Sequence, residues 1–316
     1  MKTISSRYGR LPVDGPMELH PDGQVRAAYL AGSVTLVTSL GQLTPQHTID
    51  DTRRMTLPPL TFHKNGQVRS LPLETRTVVA TPAGDLPAEL VTFHENGTVA
   101  RVFPLNGKLS GYWTEADEAR LAEPLTVTTP LGPVTARVVA VAFDPLGGLR
   151  SLTLWPEEEV TVRAPFGAAP ARMGLSFYED GALRSFEPAR PFEVPTPVGP
   201  VWAFDPDAVG VSGDDNSLVF SPTGEVVRVA TVRTAVSARL PDGTRQVVTP
   251  GSRESLCGDS ELEPVALVLE FSPDTVTART QPKKPLARLP RAGTTFTTRP
   301  HITAFAVPLT PRRCAG

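Results

Sequence analysis

Thr77-Val78-Val79-Ala80-Thr81-Pro82-Ala83-Gly84, followed nine residues on by Phe93-His94-Glu95-Asn96-Gly97, contains the two turns on which the reading of the whole chain rests. Asn-Gly supplies the positive φ of a tight hairpin turn. Pro-x-Gly presets φ at the first central turn position and leaves glycine nearby for the return. The run Thr77–Thr81 is made of strand-forming residues. Together these turns and the segments between them predict two antiparallel hairpins.

The same two half-motifs recur along the chain. The first is an aromatic residue or Leu, three residues, Gly, then an apolar residue and a nearby Arg. It occurs at Leu19–Gly23, Phe62–Gly66, Phe93–Gly97, Phe143–Gly147, Phe177–Gly181 and Phe220–Gly224, with a degenerate copy at Phe271–Thr275. The second, Thr-Pro-x-Gly or a near variant, occurs at Thr38–Gly41, Thr81–Gly84, Thr129–Gly132, Ala164–Gly167, Thr196–Gly199 and Leu240–Gly243. The predicted fold is all-β: an elongated antiparallel β-meander of two-hairpin repeats, about a dozen strands, with one short inserted helix and C-terminal capping strands.

The expected organisation is a lead-in over 1–16, a repeat array over 17–280 and a basic C-terminal cap or tail over 281–316. Insertions at 45–59, 106–124, 203–217 and 251–264 break the period, and long insertions in a regular array are where function concentrates. All but 106–124 leave from the same point of the repeat, so they are expected on one side. Thr114-Glu-Ala-Asp117 reads as a capping box ahead of a helix over Glu118–Glu123.

Composition agrees. The 34 Pro and 25 Gly among 316 residues exclude a helix bundle or coiled coil, while 40% hydrophobic residues allow a true core. The net charge of −2 hides an asymmetry: residues 1–274 carry −10, and the remainder carries +8 with no acidic residue. Cys257 and Cys314 suggest neither a disulfide framework nor a zinc site. The first residues lack the apolar run of a signal peptide, and no apolar window is long enough to span a membrane. A cytoplasmic protein is the expectation.

The aromatic-x-[Asp/Asn]-Gly-x-apolar-Arg half-motif, as in Phe177–Arg184 and Phe62–Arg69, resembles the MORN-like repeats of bacterial proteins over roughly residues 17–280. The alternating Tyr-Gly and Gly-x-Gly signature of eukaryotic MORN repeats is absent. The resemblance implies a single-sheet β-meander that serves as a scaffold or binding surface, and it supplies no catalytic residues.

His20, His63 and His94 fill one slot in three repeats. Successive copies lie at least two strands, on the order of 10 Å, apart, too far for one zinc ion. A turn-flanking structural role is expected. Arg26, Arg69, Arg150 and Arg184, with Arg101, Arg228 and Arg279 one residue later in their repeats, form a ladder. It pairs with acidic neighbours such as Asp22, Glu95, Glu179 and Asp180, or binds a polyanion. Asp205, Asp207, Asp214 and Asp215 carry the oxygen ligands calcium prefers, but not in EF-hand order. Lys108, Tyr112 and Trp113 offer a candidate binding surface on a loop.

No nucleophile elbow, phosphate loop, dinucleotide fingerprint or zinc-protease motif is present, and no cofactor is expected. The functional expectation is a non-enzymatic scaffold or recognition module that binds a protein partner through the insertions 45–59, 106–124 and 203–217, with Tyr112, Trp113, Lys108, Arg69, Arg150 and Arg184 as binding residues. One alternative is an enzyme assembled from the insertions and acting on a polymer, with His47, Asp50, Asp51, Asp205 and Asp207 as candidates. Another is nucleic-acid or other polyanion binding through the Arg ladder and residues 279–313.

Overall fold

The computed structural model describes residues 2–50, 52–209, 213–255, 262–281 and 284–302. The chain is all-β, with 27 strands and one five-residue helix among the described residues. The strand number is about twice the expected dozen. Among these residues no helix is long and apolar enough to cross a membrane.

Two compact units divide at Trp155 and Pro156. In the first, the strands Lys2–Ser6, Gly9–Leu19, Val25–Leu30, Leu60–Phe62, Val68–Thr81, Gly84–Phe93, Val99–Phe103, Gly132–Phe143 and Leu149–Leu154 pair antiparallel, each with the next. In the second, Glu159–Ala164, Gly167–Phe177, Leu183–Pro188, Leu218–Phe220, Val226–Thr231, Leu267–Phe271, Thr275–Gln281 and Lys284–Pro290 do the same. Lys284–Pro290 has no further partner among the described residues, and its Pro285, Arg288 and Pro290 suit an edge that should not recruit another strand. Thr295–Pro300 pairs instead with Thr234–Arg239.

The hairpin of Val68–Thr81 and Gly84–Phe93 shows the unit's construction. Its proximal half, Ser70–Pro72 against Leu90–Thr92, lies between neighbouring strands; its distal half, Thr77–Thr81 against Gly84–Ala88, reaches beyond them. The register slips between Pro72 and Thr77, and this bulge absorbs a proline that cannot donate to a ladder. Equivalent slips occur between Val13 and Met17 and between Arg172 and Leu175. Phe62, Phe93 and Phe143 are buried in the first unit and Phe177 and Phe220 in the second, whereas Leu19, their first-copy equivalent, is half-exposed.

Both turn classes close by repeated hydrogen bonds. In the first, the slot residue donates its N–H to the residue after the glycine and accepts the glycine N–H, as in His94 N to Thr98 O at 2.9 Å and Gly97 N to His94 O at 2.9 Å. The Asn or Asp before the glycine then accepts the next N–H, as Asn96 Oδ1 does from Thr98 at 3.1 Å. Phe143–Gly147 lacks that residue, and Asp144 supplies the acceptor from the slot. In the second class the threonine hydroxyl donates across the turn, as Thr81 Oγ1 does to Gly84 O at 2.6 Å. Ser6 with Gly9 repeats this bond, a copy the sequence reading missed. Leu240–Gly243 belongs to the first class, not the second: Leu240 N donates to Thr244 O and Gly243 N to Leu240 O.

The histidine ladder is a row of clasps. The imidazole Nε2 of His20, His63 and His94 donates to the carbonyl oxygens of Phe62 (3.1 Å), Phe93 (2.8 Å) and Phe143 (3.0 Å), the aromatic residues of the following hairpins. In the second unit Tyr178 fills the slot and its hydroxyl donates to Phe220 O at 2.7 Å. Each donor satisfies a carbonyl that the strand end would leave open. Replacing His63 with Leu is expected to cost about 1 kcal/mol in urea denaturation. His63→Tyr, which copies Tyr178, should recover most of it.

Candidate functional site

In the first unit, the insertions 45–59 and 106–124 are locked together by one guanidinium. Arg53 donates to Glu89 through Nη1 (2.9 Å) and Nη2 (2.6 Å), and to Glu118 through Nε and Nη2 (both 2.7 Å). Glu89 also accepts the Asn106 N–H, and Glu118 accepts Gly107 N–H and the Trp113 indole N–H, both at 2.7 Å. Burial opposes ionisation of Glu118, but the bonds from Arg53, Trp113 and Gly107 hold it below its ordinary pKa. A β-carbon at Gly107 would collide with the Glu118 carboxylate, which Arg53 and Trp113 hold in place, so glycine is favoured there.

The local folding follows from short-range chemistry. Asp50 accepts the N–H groups of Thr52, Arg53 and Arg54, which curls the first insertion and turns Arg53 inward. In the second, Thr114 is the N-cap of a helix spanning Glu115–Ala119, with Asp117 completing the capping box. The helix thus starts three residues earlier than expected and ends sooner, because the box lies inside its first turn rather than ahead of it. That first turn places Glu118 under Arg53.

On this platform Tyr112 is 79% exposed and Leu109 62%; Ile49, Met55 and Leu121 are exposed as well. Lys108 is exposed, while its backbone N–H is bound by Arg53 O. Trp113 is half-buried, and its indole serves Glu118.

In the second unit, a cavity of about 390 Å³ is lined by Glu187, Asp205, Asp207, Asp215, Ser217 and Arg228, among others. Glu187 is 2% exposed and accepts Ser217 N–H (2.8 Å) and Ser217 Oγ–H (2.9 Å). Burial, with the Asp205 charge adding to it, outweighs those bonds and pushes Glu187 up to about 8. Burial also raises Asp205, and it raises Asp207 against the attraction of Arg253, which donates to it at 2.8 Å. Asp215 pairs with Arg228 at 3.1 Å. The strand beside the cavity bulges at Met173, a non-glycine residue with φ of 60°.

The sequence candidates are thus dispersed. His47 and Asp50 lie in the first unit, Asp205 and Asp207 in the second, and Asp51 outside the described residues. Cys257 and Cys314 are also outside them. Among the described residues no three His, Cys, Asp or Glu side chains are grouped to hold a metal, Asp205, Asp207, Asp214 and Asp215 included. In the arginine ladder, Arg26 pairs with Glu18 (3.5 Å), Arg279 with Glu270 (3.0 Å) and Arg228 with Asp215. The first two pairs are cross-strand, as expected, but their partners are not the acidic turn residues named from the sequence. Arg69, Arg150 and Arg184 are exposed. Of the basic segment 279–313, Arg291 donates to Ser272 O at 2.8 Å, while Lys283, Arg312 and Arg313 lie outside the described residues.

Arg53, Glu89, Glu118 and Glu187 escaped the sequence reading. For Glu89 and Glu187 the available signal was a lone carboxylate inside a strand segment, as in Leu86-Pro-Ala-Glu-Leu-Val91 and Leu183-Arg-Ser-Phe-Glu-Pro188, while Arg53 and Glu118 carried none. No family model matches this chain, and neither a curated protein nor a solved structure does.

Proposed function

We propose that the protein is a recognition module that binds a protein partner through the insertion platform of its first unit. The observation that carries this reading is the exposure of Ile49, Met55, Leu109, Tyr112 and Leu121 on two loops that a single half-buried arginine holds in place through two buried carboxylates. Exposed apolar side chains on a rigid support lose little conformational entropy on binding. The resemblance of the repeats to bacterial MORN-like scaffolds agrees with it. The buried carboxylates of the platform are spent on Arg53, which fits a binding surface better than a proton-transfer site. Replacing Leu109 with Ser and Tyr112 with Ala together should weaken partner capture from lysate at least about tenfold relative to the parent chain, with an unchanged melting temperature. Equal capture by both proteins overturns the reading.

A second reading, proton-transfer chemistry in the second unit, is favoured by Glu187 alone, a carboxyl that stays protonated at neutral pH beside a cavity shared with Asp205 and Asp207.

A further inference from the structure

A separate cavity of about 570 Å³ in the first unit is lined by Asp14, Gly15, Tyr29, Leu30, Ala31, His47 and Leu57. His47 and Leu57 belong to the insertion 45–59, but none of these residues is among the exposed apolar side chains of the platform or in its Arg53 network. His47 is held in one tautomer. Its Nδ1 lies 3.1 Å from Glu74 Oε2 and 3.2 Å from Pro45 O, and both are acceptors, so Nδ1 carries the proton.

Glu74 is kept ionised for this task. Burial opposes its charge, but Thr48 Oγ1 and the N–H groups of His47 and Thr48 outweigh that and hold its pKa below the ordinary value. With Nδ1 committed, Nε2 of that tautomer is an acceptor, and it has no hydrogen bond among the described residues.

The remaining polar features of the cavity accept too. Asp14 is an exposed carboxylate whose Oδ1 takes only its neighbour's Gly15 N–H, at 2.9 Å. Tyr29 adds an aromatic ring that can lie against a cation. No Lys or Arg lines the cavity, and the nearby Arg54 is committed to the carbonyls of Leu73 and Glu74. Leu30, Ala31 and Leu57 form the apolar part of the wall.

We propose that this cavity binds a primary ammonium group carried on an apolar stem, with Asp14 and His47 Nε2 accepting its N–H bonds and Leu30 and Leu57 receiving the stem. A free alkylamine and the lysine side chain of a polypeptide share this chemistry.

Calorimetric titration of the full chain with n-pentylammonium chloride, pentan-1-ol and sodium pentanoate tests the proposal, with Nα-acetyl-lysine methylamide as a fourth arm. Saturable binding of pentylammonium, absent for the alcohol and the carboxylate, is expected. Asp14→Asn, which keeps the acceptor for Gly15, should weaken it about tenfold, and Ala31→Lys should abolish it, both with unchanged melting. Binding of the lysine derivative as well assigns the site to a polypeptide lysine; binding of pentylammonium without it assigns a free amine. Failure of both amines to bind, equal binding of the alcohol, or indifference to Asp14→Asn overturns the proposal.

Discussion

Replacing Arg53 with methionine is expected to destabilise the first unit by about 3–5 kcal/mol, the penalty of leaving a buried charge without its partner. Glu89 and Glu118 have only 7% of their side-chain surface exposed, and both face the same guanidinium. Without it, two carboxylates confront each other with only amide and indole N–H donors for compensation. Denaturation followed by tryptophan fluorescence reports the loss, because Trp113 donates to Glu118. Adding Glu89→Gln and Glu118→Gln to Arg53→Met should restore most of the stability, since neutral amides need no counter-charge. A small loss in the single variant, or no recovery in the triple, contradicts this account. The network also has an acid limit. Glu118 titrates lower in the folded chain than unfolded, so its contribution is present above its unfolded pKa, near 4.5, and is lost as pH falls through the folded value.

Glu187→Gln is expected to act in the opposite sense and only at higher pH. Glu187 titrates at about 8 in the folded chain against 4.5 when unfolded. Between those values the unfolded state binds fewer protons, so stability falls as pH rises through the window. A glutamine can accept the Ser217 N–H and donate to Ser217 Oγ without ever ionising. The variant should match the parent below pH 4.5, lose this part of the pH dependence, and exceed the parent by on the order of a few kcal/mol at pH 8.5. Parallel stability–pH curves for the two proteins would refute a raised pKa for this group.

The turns were legible because their chemistry is local. Asn65-Gly66, Asn96-Gly97 and Thr81-Pro82-Ala83-Gly84 each hold within a few residues everything needed to close a hairpin. Leu240–Gly243 reads as second-class in the sequence yet closes as first-class, because Arg239 stands where the other first-class copies have an aromatic residue or Leu, leaving a Pro-Asp-Gly that satisfies both patterns. The structural role expected for the histidine slot is what the clasps display, although their acceptors, the carbonyls of the following hairpins, carry no side-chain signature. The Arg53 network was illegible for a different reason. Its members stand 36 and 65 residues apart, and nothing in a sequence distinguishes an arginine that meets two carboxylates from one that meets water. Tyr112 was visible as an unusual loop aromatic, but the division of labour between it and Trp113, one outward and one turned to Glu118, needed the positions of the backbone.

The clasps make the two ends of each hairpin unequal in what they can inherit. Where His20, His63, His94 or Tyr178 reaches the next strand end, an added residue would move donor from acceptor, and the spacing between Phe and Gly is the same from Phe62 to Phe220. The interruptions at 45–59 and 203–217 enter instead after the second-class hairpins Leu36–Thr38 with Gly41–Leu43 and Phe192–Thr196 with Gly199–Ala203, and 106–124 enters after Val99–Phe103, where no clasp has to close. Such a chain can acquire, lengthen or discard its elaborations at one margin while the other keeps count. Kin of this protein should therefore differ in the inserted loops and agree, residue for residue in length, across the clasped turns.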